Sequence, residues 1–211
     1  MRVLIATDAW YPQINGVVRS IERMMDQAAA NGAEIVLITP EAFRSVPLPS
    51  YPEIRLALCT PGRMAAAIRR LGPTHIHIAT EGPIGHVARR ICRRHGLPFT
   101  TCYHTRLPEY VRTRLPIPLS VTYGLLRRFH NAGEGVMVAT DSLATELAGR
   151  GFERLRRWSR GVDTAVFTPD RRQDLGLPRP IFLYVGRLAP EKSAADFLAL
   201  PLPGTKLVVG D

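Results

Sequence analysis

Short apolar runs alternate along this chain with longer segments in which apolar and polar residues mix at helical spacing. Such alternation is typical of βα units on a parallel sheet, whose strands are buried on both faces. The strands predicted up to residue 160 are 3–6, 34–39, 54–58, 74–79, 98–103, 135–139 and 155–159. The predicted helices are 17–30, 63–71, 84–94, 107–130 with a break at Pro116 and Pro118, and one that Asp141 caps and that ends at Arg150.

Two further segments depart from this rhythm. The loop with Pro40, Pro47, Pro49 and Pro52 is expected to be extended and exposed. From residue 161 to 180 turn residues dominate, and the rhythm then restarts with a strand at 181–186, a helix at 191–200 and a strand at 205–211. We therefore predict an α/β protein with a Rossmann-like domain at 1–165, a connection at 166–180 and the start of a second domain at 181–211.

Composition fits a globular protein of the reducing cytoplasm. Hydrophobic residues make up 45% of the chain, which is enough for a core. No run approaches the roughly 18 apolar residues of a membrane-spanning helix, and the apolar start meets Asp8 too early for a signal peptide. The three cysteines lack the C-x-x-C spacing of zinc or redox sites.

The net charge of +10 is carried almost wholly by arginine, since Lys192 and Lys206 are the only lysines. A basic chain attracts polyanions such as nucleic acid, anionic lipid or phosphorylated substrates. No nucleic-acid signature accompanies the charge, so we expect no nucleic-acid partner. Two groups could face lipid headgroups at the inner face of the membrane, or could equally be solvated helix surfaces: Arg89, Arg90, Arg93 and Arg94, and Arg112, Arg114, Arg127 and Arg128.

The loops after the strands are the candidate sites, because open parallel sheets bind ligands at the carboxyl ends of their strands. In the first loop Asn15-Gly16 precedes a helix whose free N–H groups suit a phosphate, although a plain surface turn is the alternative. That loop lacks the G-x-G-x-x-G of dinucleotide-binding dehydrogenases. His75 and His77 share a strand face but lie too early in their strand for the ligand edge.

Two strand ends are followed by side chains that could bind or act on a ligand. Tyr103-His104-Thr105 ends a strand and places an imidazole at the ligand edge, where it could donate to a sugar hydroxyl or stabilise a nearby charge. After the strand at 181–186 come Gly186, Arg187 and then Lys192 at a predicted helix start. A guanidinium fork, an ammonium group and a helix dipole together suit a diphosphate, and the arrangement needs no metal.

Seven ordered segments resemble a large family of retaining glycosyltransferases that includes bacterial α-mannosyltransferases and sulfoquinovosyl diacylglycerol synthase. The segments are TDAWYPQINGVV, VPLPSYPEIRLAL, HIHIATEGPIG, YHTRLPEY, ATDSLATELAGRGF, RGVDTAVFTP and YVGRLAPEKS. The resemblance implies a GT-B arrangement, with two Rossmann-like domains facing a cleft. It also implies transfer of a hexose, such as mannose, from a GDP- or UDP-linked donor to an acceptor hydroxyl, often of a lipid or glycolipid, with retention of configuration and no cofactor or metal.

By this resemblance His104 would contact the transferring sugar, and Arg187 and Lys192 would clamp the leaving diphosphate. Asn15, Gly16 and Gly186 would lie against the donor. The further candidates for the acceptor side or the cleft are Asp8, Glu81, Gly82, Tyr103, Arg160 and Asp163.

The sequence departs from this family at one motif. Family members carry a Glu-x7-Glu pair that binds the donor, and no two glutamates here have that spacing. We therefore expect the second domain to be incomplete and the 211 residues alone to have little or no transferase activity. The alternative is a non-catalytic remnant that binds an acceptor, a membrane or a partner. A phosphosugar epimerase is disfavoured by the absence of G-x-G-x-x-G and Tyr-x3-Lys.

Overall fold

A computed structural model describes residues 1–13, 15–48, 51–186, 188 and 192–210. The chain divides into two units, one of Met1–Arg112 and Pro116–Arg160, the other of Thr113–Leu115 and the chain from Gly161 onward. The strands are β1 (Arg2–Ala6), β2 (Glu34–Ile38), β3 (Ser45–Leu48), β4 (Tyr51–Ala57), β5 (His75–Ile78), β6 (Thr100–Cys102), β7 (Gly135–Val138), β8 (Leu155–Arg157), β9 (Ile181–Val185) and β10 (Thr205–Val209). The α-helices are α1 (Gly16–Ala28), α2 (Pro61–Leu71), α3 (Pro83–His95), α4 (Leu107–Arg114), α5 (Leu119–His130), α6 (Asp141–Gly149) and α7 (Ala194–Ala199).

The first unit is built on a six-stranded sheet of order β2-β1-β5-β6-β7-β8, in which every pair is parallel. The order reverses at β1, since the chain goes to β2 on one side and returns to β5 on the other. Right-handed crossovers then place the connecting helices on opposite faces of the sheet. The predicted α/β class with a doubly wound parallel sheet is confirmed.

Alternate residues of β1 show the two faces. Leu4, fully buried, belongs to the larger core, which also contains Met64 of α2, Ile84 of α3 and Phe129 of α5. Ile5 points the other way and packs against Ile21 of α1. A parallel strand must be apolar on both sides when helices cover both faces, which explains the unbroken apolar run VLIA.

The proline-rich loop is where the prediction was wrong. In place of an extended loop followed by a parallel strand at 54–58, β3 and β4 form a separate antiparallel pair, with an irregular register between Pro47 and Leu48. Both strands of a two-stranded sheet are edges, so a proline without an N–H is tolerated there. Pro49 lies outside the described residues.

The start of α6 also differs from the prediction. Thr140, not Asp141, caps this helix, because Thr140 Oγ1 accepts a hydrogen bond from the N–H of Leu143 at 3.2 Å. Asp141 is the first helical residue, and its exposed carboxylate lies 2.9 Å from the guanidinium of Arg157. A hydroxyl one residue earlier satisfies the same orphan N–H group.

The second unit contains the predicted β-α-β segment. Strands β9 and β10 are parallel, with Ile181 opposite Thr205 and Val185 opposite Val209. The described helix between them begins at Ala194.

Candidate functional site

The carboxyl ends of β1 and β5 meet where the strand order reverses. Crevices at such reversals bind ligands in open α/β sheets, because the helices that follow diverge to opposite faces. Thr7 and Asp8 follow β1, and Thr80, Glu81 and Gly82 follow β5. Five predicted site positions of the first unit surround this crevice or the neighbouring ends of β6 and β8: Asp8, Glu81, Gly82, His104 and Arg160.

The side chain of Asp8, which follows β1, forms hydrogen bonds with the beginning of α3. Its carboxylate accepts hydrogen bonds from the N–H groups of Ile84 at 2.8 Å and Gly85 at 3.2 Å and from the hydroxyl of Thr80 at 2.9 Å. Burial raises the pKa of this carboxyl, and the three donors oppose that shift. The carboxylate therefore stabilises the positive N-terminal end of α3 and fixes the shape of the crevice.

Gly82 and Gly85 are required by this arrangement. A Cβ atom on Gly82 would lie 2.5 Å from Cγ of Asp8, and one on Gly85 would lie 1.9 Å from the carbonyl oxygen of Thr80. Neither distance is possible for real atoms, so these two glycines are explained by packing alone. The absence of a side chain at Gly82 thus leaves the space that the Asp8 carboxylate occupies.

Asn15 is the N-cap of α1. Its Oδ1 accepts from the N–H groups of Val17 at 2.9 Å and Val18 at 3.1 Å, while its Nδ2 donates to Gln13 Oε1 at 3.0 Å. The expectation that these first-turn N–H groups are free for a phosphate needs correction, because a side-chain oxygen already satisfies two of them.

Gly16 differs from Gly82 and Gly85. A Cβ atom there would lie 3.5 Å from Nη1 of Arg160, which is an ordinary van der Waals contact, and the residue does not have a positive φ. Nothing in the described fold requires glycine at this exposed position. The missing side chain instead leaves the backbone at the start of α1 uncovered beside the Arg160 guanidinium.

His104 lies half-buried beyond the end of β6. Nδ1 of the ring is 2.7 Å from Nη2 of Arg160 and 3.6 Å from Sγ of Cys102. The ring also makes an edge contact with Trp158, with centroids 6.0 Å apart. Burial, and after it the charge of Arg160, lowers the pKa of His104 to about 3, so the imidazole is neutral at physiological pH.

Sequence reasoning missed His130, a fully buried residue at the end of α5. Its Nδ1 lies 2.9 Å from Thr101 Oγ1, and its Nε2 lies 3.1 Å from Glu81 Oε1. The contact with the buried His130 ring thereby holds the Glu81 carboxylate in place at the crevice. A lone histidine in the segment RRFHNAGEG carries no signal of this contact, because its partner is 49 residues away.

Tyr103 occupies the core and not the crevice surface. It is only 3% exposed, and its ring contacts Phe152 and His130 with centroids 5.9 and 5.8 Å apart. Side chains alternate along an extended segment, so Tyr103 faces away from the side on which Cys102 and His104 meet.

The remaining predicted residues belong to the second unit. The N–H of Gly186 donates to the carbonyl oxygen of Val209 at 3.0 Å, and Lys192 is exposed just before α7. The carboxylate of Asp163 accepts from the N–H groups of Ala165 and Val166 and so shapes the turn after Gly161. Arg187 lies outside the described residues.

The described part of the chain has neither a metal-binding cluster nor a membrane-spanning helix. No cluster of three or more His, Cys, Asp or Glu side chains there could hold a metal ion. No helix there is long and apolar enough to cross a membrane.

The reversed strand order defines a Rossmann-like α/β protein, and the crevice at its strand ends is the candidate ligand site. Residues 14–166 match the model of Glycosyltransferase Family 4, and the chain belongs to this family. The resemblance inferred from the sequence motifs is confirmed.

Three relatives illustrate the range of the family. A GDP-mannose-dependent alpha-mannosyltransferase of Mycobacterium tuberculosis is 27% identical, with 100% of this chain and 63% of the relative covered. Sulfoquinovosyl transferase SQD2 of Arabidopsis thaliana is 26% identical over 87% of this chain and 41% of its own. An alpha-monoglucosyldiacylglycerol synthase of Acholeplasma laidlawii is 27% identical over 52% of this chain and 31% of its own. The chain thus spans less than two thirds of the length of these relatives.

Proposed function

We propose that the natural protein carrying this chain is a retaining glycosyltransferase. It transfers a hexose, with mannose as the first candidate, from a GDP- or UDP-linked donor to a hydroxyl group of a lipid or glycolipid acceptor. The observation that carries the proposal is the meeting of His104, Arg160 and Gly16 beside the strand-order reversal, in a chain of Glycosyltransferase Family 4.

Gly16 provides the space for the donor. The fold tolerates a side chain at this position, so the glycine is best explained by a bound molecule that needs the room. In the proposed complex the transferring sugar or its diphosphate lies against the Gly16 backbone. Asn15 contributes by holding the loop and the first turn of α1 in place.

His104 acts on the sugar as a neutral group. As the bond between the anomeric carbon and the diphosphate breaks, positive charge develops on the sugar ring, and an imidazolium close to it would be repelled. A neutral imidazole can donate to a sugar hydroxyl without that cost. The depressed pKa of His104 supports this role across the physiological range.

The diphosphate leaves with negative charge. We propose that Arg187 and Lys192 stabilise it, with Gly186 allowing close approach, and that no metal ion is needed. The exposed ammonium of Lys192 is available for such a contact. Because the chain has no Glu-x7-Glu pair, we further propose that the 211 residues alone transfer little or no sugar.

A positive patch supports contact with an anionic membrane. Arg89 of α3 donates to the carbonyl oxygens of Arg128 at 2.7 Å and Phe129 at 3.0 Å, which joins α3 to the end of α5. Burial, together with the charges of Arg93 and Arg128, lowers the pKa of Arg89. Like charges held this close favour a polyanionic partner such as a headgroup layer.

Vesicle cosedimentation tests the membrane contact. We expect binding to vesicles rich in phosphatidylglycerol, but not to pure phosphatidylcholine, and a loss of binding with rising salt. Replacing Arg93 and Arg128 by Gln should weaken it several-fold, whereas replacing Arg171 and Arg172, which removes the same charge elsewhere, should have a smaller effect. Equal effects of the two pairs would assign the binding to net charge alone.

Transfer of labelled hexose to a lipid extract tests the activity, with GDP-mannose and UDP-glucose compared as donors. The natural protein should form a glycolipid with the donor's anomeric configuration. His104→Ala should lower kcat about 100-fold, as loss of one preorganised donor does. His95→Ala, which removes an exposed histidine at the end of α3, should keep the parental rate. A product formed equally well by both variants would refute the role of His104.

A further inference from the structure

The contact between Arg160 and His104 fixes which ring nitrogen carries the proton. Arg160 Nη2 lies 2.7 Å from Nδ1, and a guanidinium group has only donors. The Nδ1 atom must therefore accept, and a neutral imidazole that accepts at Nδ1 carries its hydrogen at Nε2. The contact spans 56 residues and joins the end of β6 to the segment that follows β8.

We propose that Arg160 is a positioning residue that locks His104 as the Nε2–H tautomer and so makes it an obligatory hydrogen-bond donor in the crevice. Trp158 and Cys102 hold the same ring by an edge contact and a long sulfur contact. Among the residues that the structure describes, none forms a hydrogen bond with Nε2 of His104. Its hydrogen is therefore available to a bound molecule.

The surroundings of the ring agree with a neutral imidazole. Burial, and after it the charge of Arg160, disfavours a second proton on His104. Without Arg160 the ring would keep its burial but lose the group that distinguishes its two nitrogens. It would then populate both tautomers, and Nδ1–H would turn the acceptor side into a donor.

Long-range nitrogen-15 NMR of the histidine rings tests the proposal on the 211-residue chain without any substrate. His104→Gln identifies the His104 signals. In the parent we expect the pattern of the Nε2–H tautomer, unchanged from pH 5.5 to 8.5. Arg160→Met should shift these signals towards a mixture of tautomers, and Arg160→Lys, which keeps a donor, should restore the parental pattern.

The other five histidines serve as the internal control for folding, and Arg157→Met removes an exposed arginine of β8 that does not contact His104. Parental His104 signals in Arg160→Met, or an Nδ1–H pattern in the parent, would overturn the assignment. A global change in all six rings would point to misfolding, and Arg160→Leu, which also lacks a donor, would then replace the methionine variant.

The catalytic consequence rests on the proposed function. If the natural protein transfers sugar, Arg160→Met should lower kcat at least about 10-fold with little change in KM, since a wrong tautomer is costly in catalysis. Arg160→Lys should recover most of the rate. An inactive parent would reject the proposed function and leave the NMR result standing, whereas an active parent with an unaffected Arg160→Met would reject the positioning role.

Discussion

Gly85→Ala should destabilise the first unit strongly, because α3 begins in contact with the loop that precedes it. A Cβ atom at Gly85 would lie 1.9 Å from the carbonyl oxygen of Thr80, whereas contacts under 3.0 Å essentially never occur. The helix or the Thr80 loop must therefore move by about 1 Å. Such a shift stretches the hydrogen bonds of 2.8 and 3.2 Å by which the Asp8 carboxylate holds α3.

The cost has two parts. Overpacking in a close-packed region typically costs about 1–3 kcal/mol. Weakening two hydrogen bonds to a charged group adds about 1.5–3 kcal/mol for each bond that is lost. With one bond lost, the expected loss in the free energy of unfolding is about 2.5–6 kcal/mol, which is a large share of the stability of a typical domain.

Gly124→Ala is the matched control, since Gly124 lies within α5 and a Cβ atom there meets nothing within 4 Å. Replacing glycine by alanine in an open helical position should stabilise the protein by about 0.5–1 kcal/mol. Urea unfolding followed by the fluorescence of Trp10 and Trp158, both in the first unit, measures the two variants. A Gly85→Ala variant within about 0.5 kcal/mol of the parent, the usual range of neutral substitutions, would show that α3 does not depend on the close contact with Thr80.

Three further predictions concern titration, capping and thiol reactivity. Burial lowers the pKa of His77 to about 4, so its contribution to stability is complete above the unfolded pKa near 6.5 and is lost as pH falls. Between pH 7 and pH 4, the free energy of unfolding in urea titrations should fall by about 3 kcal/mol less in His77→Gln than in the parent, and an equal fall in both would contradict the burial of a neutral His77. Asn15→Ala should cost about 1 kcal/mol in the same assay, and an unchanged midpoint would contradict the cap. Because burial raises the pKa of Cys92 to about 11 and that of Cys102 to about 12, iodoacetamide at pH 8 should modify them only after unfolding, and fast labelling of the native chain would show the assignment to be wrong.

Local patterns explain why much of the fold was predictable. Apolar runs mark the strands because parallel strands are buried on both faces, and mixed segments mark the helices that cover them. The same patterns placed His104 after a strand and Asn15-Gly16 before a helix, so the positions of these residues in the fold were predictable. The antiparallel pairing of β3 and β4 in the proline-rich segment was not predicted. These two edge strands pair only with each other, and no local pattern distinguishes such a pair from a loop.

The contacts between site residues were not predictable, because they depend on the order of the strands in space. Arg160 reaches His104 across 56 residues, and His130 reaches Glu81 across 49. Strand β7 lies between β6 and β8, so even the correct list of strands does not bring Arg160 to His104. The role of Gly82 was hidden for the same reason, since its neighbour Asp8 is 74 positions earlier in the chain.

Gly16→Ala tests in the natural protein whether the donor lies against the Gly16 backbone, with two readouts, hexose transfer and urea unfolding. Gly62→Ala is the control, because Gly62 is also in the first turn of a helix and a Cβ atom there meets nothing within 4 Å. We predict that both variants are at least as stable as the parent and that only Gly16→Ala loses transfer, by about 100-fold, as expected for a bound group displaced by about 1 Å. Parental transfer rates in Gly16→Ala would show that the donor does not lie against this backbone.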